Sequence, residues 1–284
     1  MKKKKLKLTK KRIALLIVVV VIAALLYPVV YTEMLKAAIR DNNTSGVKVL
    51  LAMPGDVDFR VYAPRLEIEG FTALEVACWN GGDYEMIELL LQNGASPNND
   101  PDFDQPIQYV LGGRYEGMLD RAKLFVEYGA DLNLEGGYDK SSVGSLFKRR
   151  DYEKYKDKMT LDEANAEVLS TFIYLTEHGA HLEAKQPYVI YEWFRNTIEN
   201  ENYKLTEYLV RTQRFDINMQ VDLEFNETLL MSAAKRGNSE AIEFLLRLGA
   251  DKSLEDDAGK TAYDYAVEND HLEAATLLVV PIKN

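Results

Sequence analysis

The apolar positions of this chain fall into two regimes. From Ile13 to Tyr31 they run without a charged residue, IALLIVVVVIAALLYPVVY. Beyond Tyr31 they recur at helical spacing in short bursts, separated by polar, glycine-bearing exits, as expected of small amphipathic helices. The first run predicts a helix about 28 Å long at roughly 1.5 Å per residue, enough for a hydrocarbon core of roughly 30 Å. Pro28 lies near its far end, and Tyr27 and Tyr31 stand where an interfacial aromatic belt forms. A cleaved secretory signal shares the basic head and apolar middle. The bulky stretch Tyr27-Pro28-Val29-Val30-Tyr31 offers no small-x-small cleavage site, however. The organisation expected is therefore a basic tail over residues 1–12, an uncleaved transmembrane anchor over 13–31, and a body over 32–284.

The bursts in the body repeat. One recurring element is an apolar helix ending in Gly-Ala, seen at Gly94-Ala95-Ser96, Gly129-Ala130-Asp131, Gly179-Ala180-His181 and Gly249-Ala250-Asp251. Gly94 and Gly129 are 35 residues apart, and Gly179 and Gly249 are 70 apart. Arg214-Phe215-Asp216-Ile217-Asn218 lies midway as a degraded copy. A second element precedes the first: Gly70-Phe71-Thr72-Ala73-Leu74-Glu75-Val76-Ala77-Cys78, Glu227-Thr228-Leu229-Leu230-Met231-Ser232-Ala233-Ala234, and Gly259-Lys260-Thr261-Ala262-Tyr263-Asp264-Tyr265-Ala266. Each copy predicts a short helix capped by its threonine. The residues two and five beyond the threonine (Leu or Tyr, then Ala) should point inward. A period near 33 residues with a helix-turn-helix unit signals a repeat architecture.

These elements together resemble the ankyrin repeat, whose pattern is Gly-x-Thr-Pro-Leu-His-x-Ala-Ala, a turn, a Leu-Leu helix and Gly-Ala-Asp. The resemblance covers residues 32–284 and is strongest at 70–98 and 227–266. Ala73, Leu229 and Ala262 stand where the pattern prefers proline, and its histidine is missing. What the resemblance implies is an all-α ankyrin-repeat solenoid of about seven helix-turn-helix units, some degenerate, after one transmembrane helix. The first unit would begin at Met34-Leu35-Lys36-Ala37-Ala38-Ile39 and the last would end with His271–Leu278. The most degraded units lie around 101–133 and 188–218. Gly129 and Gly179 are 50 residues apart, which places an insertion near 148–160. A helix should restart after it, because Thr160-Leu161-Asp162-Glu163 has the form of a capping box.

Charge sharpens the picture. The net charge is -11, yet eight of the 34 basic residues lie within the first twelve positions and no acidic residue precedes Glu33. The rest carries 26 basic and 45 acidic residues, a net of -19. Such a body is repelled by phosphates, so no nucleic acid partner is expected. The basic tail puts the N-terminus in the cytoplasm by the positive-inside rule. The chain would then be a single-pass protein of the inner (cytoplasmic) membrane with a periplasmic or extracellular repeat domain.

Chemistry is sparse. Cys78 is the one cysteine, expected as a small buried side chain. The three histidines are His178, His181 and His271, and His178 should close a helix, where the dipole favours a positive ring. Neither a nucleophile elbow nor a phosphate loop occurs. Asp100-Pro101-Asp102-Phe103-Asp104 imitates a calcium loop, but Gln105 and Leu111 occupy its required glycine and glutamate. No catalysis, metal, cofactor or small-molecule substrate is expected.

What is left is surface. The resemblance implies partner binding through hairpin tips and the exposed side of the first helices. The candidates there are Trp79, Asn80, Tyr115, Arg149, Arg150, Tyr152, Trp193, Arg195, Lys235 and Arg236. The expected function is binding of a protein with a basic surface, steered onto an acidic concave face outside the cytoplasm. By analogy with immunity and envelope ankyrin proteins, that would neutralise a toxin or hold an envelope enzyme. The alternative is a structural or regulatory subunit of a larger membrane complex.

Overall fold

A computed structural model describes residues 10–60, 70–81, 83–134, 142–147, 156–182, 187–212, 215–220 and 226–279. They form two compact units, residues 1–99 and 100–284. The first holds α1 (Lys10–Arg40), α2 (Thr44–Leu51), α3 (Ala73–Trp79) and α4 (Tyr84–Gln92). The second holds α5 (Pro106–Leu111), α6 (Met118–Glu127), a 3-10 helix (Val143–Phe147), α7 (Leu161–Glu177), α8 (Pro187–Glu199), α9 (Tyr203–Arg211), α10 (Leu229–Lys235), α11 (Ser239–Arg247), α12 (Ala262–Glu268) and α13 (Leu272–Val279). The fold is all-helical, and among the described residues the elements pair as seven consecutive helical hairpins. Within each unit the first helices of successive hairpins stack on one another, as α1 on α3 and α10 on α12 do. Second helices also stack, as α6 on α7, α7 on α9 and α11 on α13 do.

Sequence dictates the ends of these elements. Thr72, Thr160, Thr228 and Thr261 each accept a hydrogen bond from the backbone three residues on, satisfying a donor the helix itself cannot. At Thr72 and Thr160 a glutamate returns the bond, Glu75 at 2.6 Å and Glu163 at 2.7 Å. Leu74, Ala77, Leu230, Ala233 and Ala266 are buried as expected. Tyr263 is not: it is 42% exposed, while Tyr265 is buried. The reason is Asp256, to which the Tyr265 hydroxyl donates at 2.6 Å, so the pair claims the inward position.

The Gly-Ala helix ends share one geometry. Gly94, Gly129, Gly179 and Gly249 adopt φ of 89°, 81°, 93° and 97°, a left-handed conformation that costs other residues roughly 1–2 kcal/mol. The following alanine then donates back to the penultimate turn, as in Ala95 N to Leu90 O and Ala250 N to Leu245 O, both 3.0 Å. This is the Schellman closure. His178 closes α7 as expected, its Nδ1 2.8 Å from Tyr174 O. The degenerate hairpins also form. Gln105 replaces the threonine before α5, with Pro106 at the first helical position and Gln105 N donating to Gln108 Oε1 at 3.0 Å.

Past each glycine, the polar exits lock one hairpin to the next. Asn133 Oδ1 accepts from His181 N at 2.8 Å while its Nδ2 donates to Gly179 O at 2.9 Å. Asn218 Oδ1 accepts from Asp251 N at 2.8 Å, and both Asp58 carboxylate oxygens lie 3.0 Å from Ser96 N. The first hairpin therefore has its own exit, Asp56-Val57-Asp58, which the Gly-Ala pattern does not reveal. Asn133→Ala should cost the second unit about 1–2 kcal/mol, because two hydrogen bonds of roughly 1 kcal/mol each are lost; a shift in urea midpoint checks this.

Asp58 is the charged member of this series. Burial pushes its carboxyl up, the Ser96 N–H opposes that, and the Asp56 charge adds to it; the net direction is upward. A raised folded-state value means the fold disfavours the carboxylate, so the penalty is present above that value and fades as pH falls below the ordinary carboxylate range. Asp58→Asn retains the acceptor that Asn133 and Asn218 use. It should raise the melting temperature at neutral pH, with the gap closing in acid. A variant less stable than the parent at pH 7 would contradict the assignment.

The α1 helix departs from expectation in an informative way. The apolar run expected as an anchor and the first repeat helix are one uninterrupted helix. Its N-terminal part exposes Ile17, Val20, Leu25 and Leu26, each by half or more, whereas Tyr31, Leu35 and Ile39 are buried. These three recur every fourth residue and face α2 and α3. The hairpin thus begins at Tyr31, not Met34, which is exposed. Tyr31 is accordingly no free interfacial anchor. Its ring covers Gly55, where an added Cβ would collide with it. Tyr27 stacks on Tyr31 at 6.0 Å and donates its hydroxyl to Pro54 O.

Candidate partner-binding surface

The candidate residues divide between the two units. In the first, α3 ends at Trp79, which is 68% exposed, and Asn80 caps it. Gly81 follows at φ 111°, turning the chain toward α4. Phe71, also exposed, lies 6.1 Å from the Trp79 ring. The two aromatics present apolar area at the hairpin tip. Phe71 was legible only as the residue preceding the capping threonine.

In the second unit the exposure expected for Tyr115 and Trp193 fails. Tyr115 is 2% exposed and Trp193 8%. Trp193 stacks on Phe147 at 5.5 Å and 14°, and Phe147 meets Phe172 edge-on at 5.9 Å. Phe172 in turn meets Tyr208 at 6.1 Å. A tryptophan with such partners stabilises the fold through packing. It is not available to a ligand. Arg149, Arg150 and Tyr152, the candidates in the basic insertion, lie outside the described residues.

The remaining three candidates come together. Arg195 on α8 reaches Glu192 at 2.5 Å and Glu199 at 3.5 Å. Arg236, just past α10, pairs with the same Glu199. Lys235 pairs with Glu227 at 2.8 Å and stands 5.2 Å over the Tyr265 ring. Between α8 and α10 opens a cleft of about 420 Å³, lined by the apolar Ile198, Leu229 and Ala233 and by the polar Arg195, Glu199, Ser232, Arg236 and Asn238. Arg195, Lys235 and Arg236 face Glu192, Glu199 and Glu227 here, so the local charge is balanced. The acidic excess of the body lies elsewhere. Tyr191, behind this face, is buried and pushed up to about 12, first by burial and then by the Glu227 charge, so it stays a neutral phenol. The cleft mixes apolar and hydrogen-bonding lining, a combination suited to an inserted side chain.

No group of three or more metal-ligating side chains occurs among the described residues. Among the described residues one helix, Ile17–Arg40 within α1, is long and apolar enough to cross a membrane.

Comparison with known proteins agrees with this architecture. The family model for ankyrin repeats in three copies matches residues 196–283, and the single ankyrin-repeat model matches residues 69–102. Among solved structures, the ankyrin repeat domain of human ASB11 superposes with a TM-score of 0.62 at 18% identity, covering 88% of this chain and 99% of that one. The ankyrin repeat domain of Bcl-3, a member of the IkappaB protein family, gives 0.57 at 19% identity, covering 86% and 97%. A chain from the complex of the predatory endopeptidase Bd0816 of Bdellovibrio bacteriovorus with immunity protein Bd3460 gives 0.54 at 23% identity, covering 72% and 95%. Among curated sequences, alpha-latrotoxin-Lg1a of Latrodectus geometricus is 32% identical over 76 residues, 27% of this chain but 6% of that toxin. Residues 69–102 and 196–283 are thus ankyrin repeats, and the chain has the ankyrin-repeat fold. Its fold is a protein-interaction architecture.

Proposed function

We propose that this chain is a membrane-anchored ankyrin-repeat binder. In this reading α1 holds it in the inner membrane with its N-terminus in the cytoplasm, and the repeats engage a protein on the other side. The observation that carries the reading is the α8–α10 cleft, an opening on first helices of the repeats lined by Ile198, Leu229 and Ala233 together with Arg195 and Arg236. The exposed Trp79 offers a second contact of the type that dominates interface energetics. The net charge of -19 past the basic tail would steer a partner with a basic surface by long-range attraction, while the charge-balanced cleft sets short-range fit. The likeness to a chain of an endopeptidase–immunity protein complex supports one specific form, in which the partner is a toxin or envelope enzyme held in check.

Photo-crosslinking groups at Trp79 and Arg236 in the full chain, read by mass spectrometry from intact cells, test this. One dominant partner is expected at those sites, with binding weakened about tenfold or more by Trp79→Ala or Arg236→Glu. Its association rate should fall as salt rises. Capture of membrane neighbours through residues 13–31 alone would replace the binder with a subunit of a membrane complex.

A further inference from the structure

Within the first unit, the loop after α2 lies against the membrane-proximal stretch of α1. Pro54 O accepts from the Tyr27 hydroxyl, and Gly55 lies under the Tyr31 ring so closely that no side chain fits there. Tyr27 is one helical turn, about 6 Å, toward the N-terminus from Tyr31, and helical side chains tilt further in that direction. Whatever depth Tyr27 has, Pro54 shares. A second observation is independent of these contacts: Val49 to Gly55 reads VLLAMPG, seven residues without a charge, bracketed by Lys48 and Asp56. Val49 is 66% exposed and Met53 43%. Apolar side chains so placed would rest in water beside a helix that itself exposes Leu25, Leu26 and Val30.

We propose that the Val49–Gly55 segment is seated in the membrane interface next to the anchor, so that the first ankyrin hairpin is partly embedded in lipid. This rests on the anchor reading of α1. The occupant of this face is the headgroup–acyl boundary, because the segment's exposed apolar residues are tied at Pro54 to Tyr27 of the helix, whose own exposed apolar residues would lie in lipid. Lys48 and Asp56 mark its limits, the lysine able to reach headgroups from an apolar stem. The hairpin then contributes its own area to membrane binding and fixes its rotation about α1.

The test uses the full chain in phosphatidylcholine vesicles, with spin labels introduced at Met53→Cys, Val21→Cys and Glu85→Cys in separate variants. Cys78 is buried, and the parent chain is labelled in parallel to show that it does not react. Collision rates with dissolved oxygen and with a water-soluble nickel chelate report depth. The expected result is Val21 shielded from nickel, Glu85 open to it, and Met53 several-fold less accessible to nickel than Glu85 and more accessible to oxygen. If Met53 matches Glu85 while Val21 is shielded, the embedded hairpin is overturned and the anchor stands. If Val21 is as open to nickel as Glu85, the anchor reading fails and this inference falls with it.

Discussion

Trp193→Ala is expected to destabilise the second unit by about 3–5 kcal/mol, the usual cost of deleting a large buried aromatic. Trp79→Ala should leave stability within about 0.5 kcal/mol, as surface changes do. The difference follows from partners, not residue type. Trp193 begins an aromatic chain, Trp193–Phe147–Phe172–Tyr208, that joins α8 to the 3-10 helix, α7 and α9. Removing it strips Phe147 of a stacked neighbour as well as opening a cavity. Against a total stability of roughly 5–15 kcal/mol for a domain, that is enough to populate partly unfolded chains. Urea unfolding followed by circular dichroism reads both variants. Equal midpoints for the two would refute the placement of Trp193 in the core.

Trimming the chain should give a result with a sharp boundary. A chain lacking residues 1–29 should keep its first unit folded, and one lacking residues 1–40 should lose it. Tyr31, Leu35 and Ile39 are all below 5% exposure, and burying each contributes roughly 1.5–3 kcal/mol. Together they represent much of what a unit of this size can hold in reserve. The exposed stretch from Ile17 to Leu26 makes no comparable contribution to the core. Protease sensitivity of residues 41–99, followed by mass spectrometry, distinguishes the two truncations. Equal resistance in both would mean that the C-terminal third of α1 is not part of the repeat core.

Much of this architecture was legible because it depends on local rules. A threonine cap, a glycine that must turn left-handed and an apolar stripe each leave a mark within a few residues, and Thr72, Thr228, Gly94 and Gly249 all read correctly. What failed depended on neighbours distant in sequence. Trp193 lies on a helix that also buries Tyr191, Phe194, Thr197 and Ile198, so its aromatic surface was equally compatible with core or interface until Phe147 was placed beside it. Tyr115 misled in the same way. Tyr263 and Tyr265 flank one position, and only the bond to Asp256 decides which turns inward. The cleft itself was half legible. Arg195, Lys235 and Arg236 were identifiable as exposed cations, but Glu199, which joins two of them, is distant from Arg236 in sequence and has no motif.

The continuity of α1 carries a mechanical consequence. A tether of glycine and serine would let a domain tumble and would absorb a pull as entropy. If α1 is the anchor proposed above, a load applied to the first helical hairpin would pass into the bilayer through the hydrogen-bonded backbone of a single rod. That rod has one missing rung: Pro28 has no N–H to return to Ala24. Under tension or a change of bilayer thickness, bending in the anchored chain should concentrate at that point, beside Tyr27 at the lower edge of the clasp that the Tyr27 and Tyr31 rings make on the loop. The protein would then work as a stiff arm on a hinge, its swing set by the lipid around it.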